Sequence, residues 1–175
     1  SNMVPSIPDY QKYSDNVLAP KLDPDVLKEI MKYEDLEDYS NPRYMELLMN
    51  NYYTEHIIRL PVSEWPEPLN RSFKHINHDV YVTMQGPSEF GVKGDATLKY
   101  WDIKDELNKI YVPTLSIGAT HDTMDPNQMK FISDKVQNGR FLLCPNGSHL
   151  SQFDDQEIYF EGLIKFIKDV DLGNF

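Results

Sequence analysis

Two rhythms of apolar and polar positions run along this chain, and they meet near residue 100. In the first part, apolar residues recur at helical spacing between prolines. Residues 9–18 form a weak helical stretch. Asp23-Pro24 reads as an N-cap followed by proline at the first helical position. Val26, Leu27, Ile30 and Met31 then fall on one helix face. Asn41-Pro42 repeats that start signal ahead of Tyr44, Leu47, Leu48, Tyr52 and residues 56–58. Pro61, Pro66 and Pro68 mark an irregular connection, and a third helix is predicted over residues 69–76, leading into residues 78–84. Residues 85–91, Gln-Gly-Pro-Ser-Glu-Phe-Gly, are rich in turn formers and read as a loop.

Past residue 100 the pattern alternates between β and α. A short helix is predicted over 105–110, a strand over 112–117 with Pro113 at its start, a helix over 127–136, a strand over 141–144 and a final helix over 157–170. Strand, helix, strand at this length implies a parallel crossover. Parallel apolar strands expect neighbours and cover on both faces. The expected fold class is therefore α/β, mostly helical in this segment. If the neighbouring strand is absent, an exposed sheet edge is left, and such edges recruit other strands. A homo-oligomer joined through that edge is the expected assembly.

Composition narrows the partners. The net charge of −11 and pI near 4.8 leave no basic stripe for phosphates, so nucleic acid is excluded as a partner, and anionic membrane surfaces are disfavoured. No apolar run approaches the ~20 residues of a membrane span. The single cysteine, Cys144, rules out an internal disulfide and sits in an apolar run, where a buried, inert thiol is expected. Residues 1–3 read as the remnant of a removed tag and the start of the chain, no secretory signal follows, and a cytoplasmic location is the expectation.

The chemistry-bearing residues lie beyond the two predicted strands. Asp122 follows the first of them by way of Gly118, and His149 follows the second through Asn146-Gly147-Ser148. A carboxylate on a fixed loop can orient an imidazole, and a histidine on a loop can transfer protons near neutral pH. Asp125 precedes Pro126 and is the better cap for the helix between the strands, which leaves Asp122 for the histidine. Strand, acid, helix, strand, histidine is the closing section of an α/β-hydrolase, whose triad runs serine, acid, histidine along the chain. No G-x-S-x-G pentapeptide occurs in the 175 residues, and the length falls short of the roughly 250 residues of comparable large α/β units. His75, His78 and Asp79 have a spacing that places both rings on one helix face, but no third ligand is evident and no metal is expected. No cofactor is implied.

Several longer segments sharpen this. The chain resembles the proline iminopeptidases, serine peptidases of the α/β-hydrolase fold, over nearly its whole length. The resemblance is carried by Asn41-Pro42-Arg43-Tyr44, by Tyr53-Thr54-Glu55-His56 with Arg59, and by Val80-Tyr81 through Met84-Gln85-Gly86-Pro87-Ser88-Glu89-Phe90. It continues in Trp101-Asp102-Ile103, Val112-Pro113-Thr114-Leu115, Gly118 with Asp122, and Gly147-Ser148-His149-Leu150. The resemblance implies a helical cap over residues 4–100 and the C-terminal part of the hydrolase core, its last βαβα section, over 101–175. It implies an exopeptidase that releases an N-terminal residue, often proline, from a peptide with a free N-terminus. Asp122 and His149 would be catalytic, and Glu89 and Glu55 would bind the substrate's α-amine. The nucleophile elbow of the family's N-terminal half is not in this sequence, so the chain alone is expected to be inactive. The alternatives are a non-catalytic peptide- or amine-binding module, or another α/β-hydrolase such as an esterase or epoxide hydrolase.

Overall fold

A computed structural model describes residues 3–174. It divides into two compact units. One runs from Ile7 to Trp101, and the other joins the residues up to Ser6 to those from Asp102 onward.

The first unit is helical. Its elements are α1 (Ile7–Tyr13), a π-helical turn at Ser14–Leu18, a 3₁₀ turn at Ala19–Lys21, α2 (Pro24–Asp35) and α3 (Pro42–Leu48). A second π-helical turn (Met49–Tyr53), α4 (Thr54–His56), a 3₁₀ turn (Val62–Glu64), α5 (Glu67–Lys74) and α6 (His78–Met84) follow. The caps act as the sequence anticipates. Asp23 accepts from the amides of Asp25 and Val26 at the start of α2, and Asn41 accepts from that of Arg43 at the start of α3. Tyr10, Leu18, Ile30, Tyr44, Leu48, Tyr52 and Ile58 form the buried interior. Tyr52 packs edge-on against Phe90, with ring centroids 5.0 Å apart. The third helix begins two residues earlier than its apolar pattern suggests, at Glu67, and ends at Lys74. His75 closes α5, whereas His78 opens α6 after the Asn77 cap, so the two rings do not share a helix face.

The second unit begins with a tie between its two chain segments. Ser6 forms an isolated antiparallel bridge with Asp102, its hydroxyl donates to the Asp102 carboxylate at 2.8 Å, and the Ile103 amide donates to the Pro5 carbonyl. A 3₁₀ stretch (Lys104–Lys109) stands where a short α-helix is predicted. Then come β1 (Thr114–Ala119), α7 (Pro126–Lys135), β2 (Gly139–Cys144), α8 (Ser151–Asp154) and α9 (Gln156–Asp171). The strands pair in parallel, from Thr114 opposite Gly139 to Ala119 opposite Cys144. The molecule is thus mostly helical, with one small parallel sheet.

The first strand lies two residues beyond its predicted span. Pro113 offers no amide to the ladder, and the first backbone bond here runs from the Thr114 amide to the Asn138 carbonyl. At the other end Gly118 continues the strand rather than ending it. A Cβ there would sit 3.1 Å from the Met129 Cβ and 3.3 Å from the Pro126 Cα, so the glycine lets α7 approach the sheet. Among the described residues the sheet has two strands, so each has a strand neighbour on one side only. Ile117, Ala119 and Cys144 form a buried cluster joined by Leu115, Leu142 and Tyr159. On α9, Phe160, Ile164 and Ile167 are 39–48% exposed and share one side of the helix. Among the described residues no helix is long and apolar enough to cross a membrane.

Candidate active site

The parallel register places the C-terminal ends of β1 and β2 side by side, and the two site loops leave from there. Beyond Ala119, the Thr120 amide donates to the Cys144 carbonyl at 3.2 Å and the His121 amide to the Gly147 carbonyl at 3.0 Å. The acid loop and the histidine loop are thereby stitched together. Asp122 is 1% exposed. Its Oδ1 accepts from the Met124 amide at 2.9 Å and from the Thr123 hydroxyl at 3.3 Å. His149 Nδ1 lies 2.9 Å from the same oxygen. Three donors on one buried carboxylate oxygen fix where the ring stands.

That contact sets the chemistry of the imidazole. With Nδ1–H donating to Asp122, Nε2 is the ring nitrogen able to take up a proton, and the carboxylate stabilises the imidazolium that results. The His149 side chain is about one-fifth exposed, open enough to exchange protons with a bound group. Asp125 does cap α7, accepting from the Asn127 amide at 2.8 Å, while Asp122 contacts the histidine. Cys144, at the end of β2, is fully buried, and burial pushes its thiol up to about 11. It is an inert core residue.

In the helical unit Glu89 has a cradle of its own. Its backbone amide donates to the Tyr53 hydroxyl and its carbonyl accepts from the Tyr10 hydroxyl, both at 2.9 Å. Its carboxylate accepts from the Tyr81 hydroxyl at 2.5 Å and from the Gln85 amide at 2.9 Å. Burial, and then the nearby charge of Glu89, push the Tyr10, Tyr53 and Tyr81 hydroxyls up, so all three stay protonated, Tyr10 and Tyr81 as donors to Glu89 and Tyr53 as the acceptor of its amide. A second chain of contacts braces the neighbouring residue. Ser88 Oγ meets the Tyr44 hydroxyl at 3.1 Å, Tyr44 donates to Glu34, and Glu34 pairs with Lys93 at 2.8 Å. Glu55 lies two residues past Tyr53, on α4, and faces Arg59 at 3.8 Å.

Asp122 and His149 are therefore brought together, while Glu89 and Glu55 belong to the helical unit. Sequence reasoning missed the residues that hold these four. Tyr81 and Gln85 are four apart, a spacing that places both on one helix face toward Glu89. That signal is readable once residues 78–84 are known to be helix. Tyr10 and Tyr53 are remote in sequence, and no local pattern exposes them. Among the described residues no group of three or more histidine, cysteine, aspartate or glutamate side chains is arranged to hold a metal ion.

No protein-family model matches the chain. Individual proteins match it closely. It is 55% identical over 175 residues to a proline iminopeptidase of Elizabethkingia meningoseptica, covering 100% of this chain and 58% of that protein. It is 54% identical over 170 residues to a proline iminopeptidase of Flavobacterium johnsoniae, covering 56% of that protein. Among solved structures, VinJ superposes with a TM-score of 0.86 at 29% identity, over 96% of this chain and 55% of VinJ. The proline iminopeptidase of Mycobacterium smegmatis superposes with a TM-score of 0.82 at 23% identity, a likeness of fold. The chain spans somewhat more than half the length of the relatives it matches. Over all of its own length it belongs with the proline iminopeptidases of the α/β-hydrolase fold.

Proposed function

We propose that Asp122 and His149 are the acid and base of a serine aminopeptidase, one that releases an N-terminal residue, often proline, from a peptide with a free N-terminus. The reading rests chiefly on the 2.9 Å contact between His149 Nδ1 and a buried carboxylate at the ends of two parallel strands. The names of the relatives favour a peptidase over an esterase or epoxide hydrolase. In this reading a serine from outside these 175 residues attacks the scissile carbonyl. His149 takes the serine's proton at Nε2 and returns it to the leaving amine, while Asp122 orients the ring and offsets its positive charge. Glu89 receives the substrate's α-ammonium, and Glu55 supplies a second carboxylate. A desolvated ammonium needs such partners, and they reject blocked N-termini.

The chain alone then has no nucleophile. With a prolyl anilide as substrate, the purified 175-residue protein is expected to release no aniline above background. Turnover at an enzyme's ordinary rate, undiminished in His149→Ala, contradicts the assignment.

One observation favours a second reading. Among the described residues, every hydrogen-bond partner of Glu89 lies between Ile7 and Trp101, so its cradle is complete within one unit. The chain would then serve as a non-catalytic module that binds peptide amines. Titration of the whole chain with prolinamide, followed by NMR, tests this. Saturable shifts that vanish in Glu89→Gln support amine binding, and identical shifts in both proteins exclude it.

For the isolated chain we also propose self-association through the open side of β1 and the apolar face of α9, because an unpartnered strand edge recruits another. Sedimentation at micromolar concentration is expected to give a dimer or larger species, and a clean monomer refutes this.

A further inference from the structure

His149 stands one residue beyond a loop that is tied down at nearly every polar atom. Two consecutive aspartates do most of the tying. The Asn146 amide donates to Asp155 Oδ2 at 3.0 Å, and the Ser148 amide donates to Asp154 Oδ1 at 3.0 Å. The Ser148 hydroxyl donates to the other oxygen of Asp154, so one carboxylate grips both the backbone and the side chain of the residue before the histidine. Ser151 closes the ring by donating its hydroxyl to the Ser148 carbonyl at 2.7 Å. The packing is as tight as the bonding. A Cβ on Gly147 would sit 2.9 Å from the Ser151 Cβ and 3.0 Å from the Asp155 Cβ. Ser148 itself is wholly buried.

We infer that Asp154 is a positioning residue for His149: it fixes Ser148, and through Ser148 it sets the imidazole at hydrogen-bonding distance from Asp122. The inference rests on the reading of Asp122 and His149 as a working acid–base pair. A 2.9 Å contact between a side chain on one loop and a side chain on another survives only if both loops hold still. The Asp122 loop is held by its own turn, with the Asp122 amide on the Ala119 carbonyl and the Met124 amide on the carboxylate. The His149 loop also has a turn, with the Gly147 amide on the Cys144 carbonyl, but it ends before Ser148, which is held from α8 instead. Paired bonds to a carboxylate are stronger and more directional than neutral ones, which suits a clamp.

Geometry and charge make different predictions here. Asp154 is also an anion near the histidine, so it could act only by favouring the imidazolium. Asparagine separates the two roles. Its carbonyl can accept from the Ser148 amide and its amide can bond the Ser148 hydroxyl, so Asp154→Asn keeps the clamp and removes the charge.

The test uses the 175-residue chain and needs no activity. In cold water, a histidine Nδ1–H bonded to a carboxylate gives a far-downfield proton resonance, assigned here by its loss in His149→Gln. If Asp154 acts as a clamp, Asp154→Asn retains that resonance, and Asp154→Ala exchanges it with solvent about tenfold faster, because losing such bonds raises the open population by about that factor. Unchanged exchange in Asp154→Ala overturns the inference. Exchange in Asp154→Asn as fast as in Asp154→Ala also overturns it, since charge would then be the cause. Should Asp154→Ala fail to fold, Ser148→Ala carries the test, with a few-fold acceleration expected and no change refuting the clamp. A resonance that is missing from the unaltered chain, or that persists in Asp122→Asn, shows instead that the acid–base pairing itself is wrong, and the clamp falls with it.

Discussion

Asp122 and Glu89 are both held by several donors, yet the protein treats their charges in opposite ways. Asp122 is sealed from solvent and bonds an imidazole of its own chain, which becomes a cation when it takes a proton. Glu89 is only half-buried, its donors are a phenol and an amide, and among the described residues it forms no ion pair. Under the proposed function, the difference gives each carboxylate its own task. A charge closed onto a histidine works on proton transfer, and the cation it stabilises comes from within. A charge held by neutral groups and left open to solvent remains available to a cation from outside. The surrounding structure agrees. One site is built at the ends of parallel strands, where loops can be fixed, and the other on helices whose tyrosines reach in from remote positions.

The contrast can be broken most sharply at Asp122. In a form of family length that carries the serine, Asp122→Asn leaves the ring without its orienting carboxylate. A loss of about 10⁴ in kcat is expected, equal for substrates with and without a free amine. A loss confined to free-amine substrates gives Asp122 the role assigned here to Glu89.

A second test concerns what makes the strand-end site rigid. At Gly139, the first residue of β2, an added Cβ would lie 1.9 Å from the Ser133 carbonyl oxygen at the end of α7. Gly139→Ala forces the helix and the strand apart. Overpacking of this kind costs about 1–3 kcal/mol or more, and calorimetry on the 175-residue chain should show a lowered melting temperature. An unchanged melting curve means that the strand-end frame is looser than described.

The helical site predicts a smaller effect. Tyr81→Phe removes a charge-assisted hydrogen bond from the Glu89 carboxylate, of a class worth about 1.5–3 kcal/mol, but it acts on the substrate only through the placing of Glu89, so roughly a two- to tenfold loss in kcat/KM is expected for free-amine substrates in the family-length form. Substrates lacking the amine should be unaffected, and equal losses on both exclude Tyr81 from amine recognition.

An effect confined to high pH concerns Cys144. Its thiol is raised from 9.0 to about 11 by burial. Between those values the unfolded chain releases the thiol proton and the folded chain keeps it, so the unfolded state binds fewer protons and stability falls as pH rises through this window. Below pH 9 the contribution is flat. The decline between pH 9 and 11 should be shallower in Cys144→Ala, and an identical slope shows that the thiol is not the group responsible.

Much of this was legible in the sequence because it is local. Asp23, Asn41 and Asp125 each precede a proline and each caps the helix that follows. Asp122 and His149 could be paired because each follows an apolar run by a short loop, and parallel pairing brings such loops together. The strand boundary was misread because Gly118 looks like a terminator, whereas here it serves the approach of α7. The helix α8 went unseen because its four residues are too few for a periodic signal, and its purpose, gripping Ser148, is a tertiary one. The tyrosines around Glu89 were invisible for a similar reason. Tyr10 is separated from it by 79 residues, and aromatic residues at helical spacing read simply as core.

The most direct test compares two substrates that differ only in the α-amine, turned over by the family-length form and by its Glu89→Gln variant. Removing a charge-assisted bond to a desolvated ammonium costs about 1.5–3 kcal/mol. The account therefore predicts that kcat/KM falls roughly ten- to a hundredfold on the free-amine substrate and scarcely moves on the other. An equal fall on both substrates, or no fall on either, contradicts the division of labour between the two carboxylates.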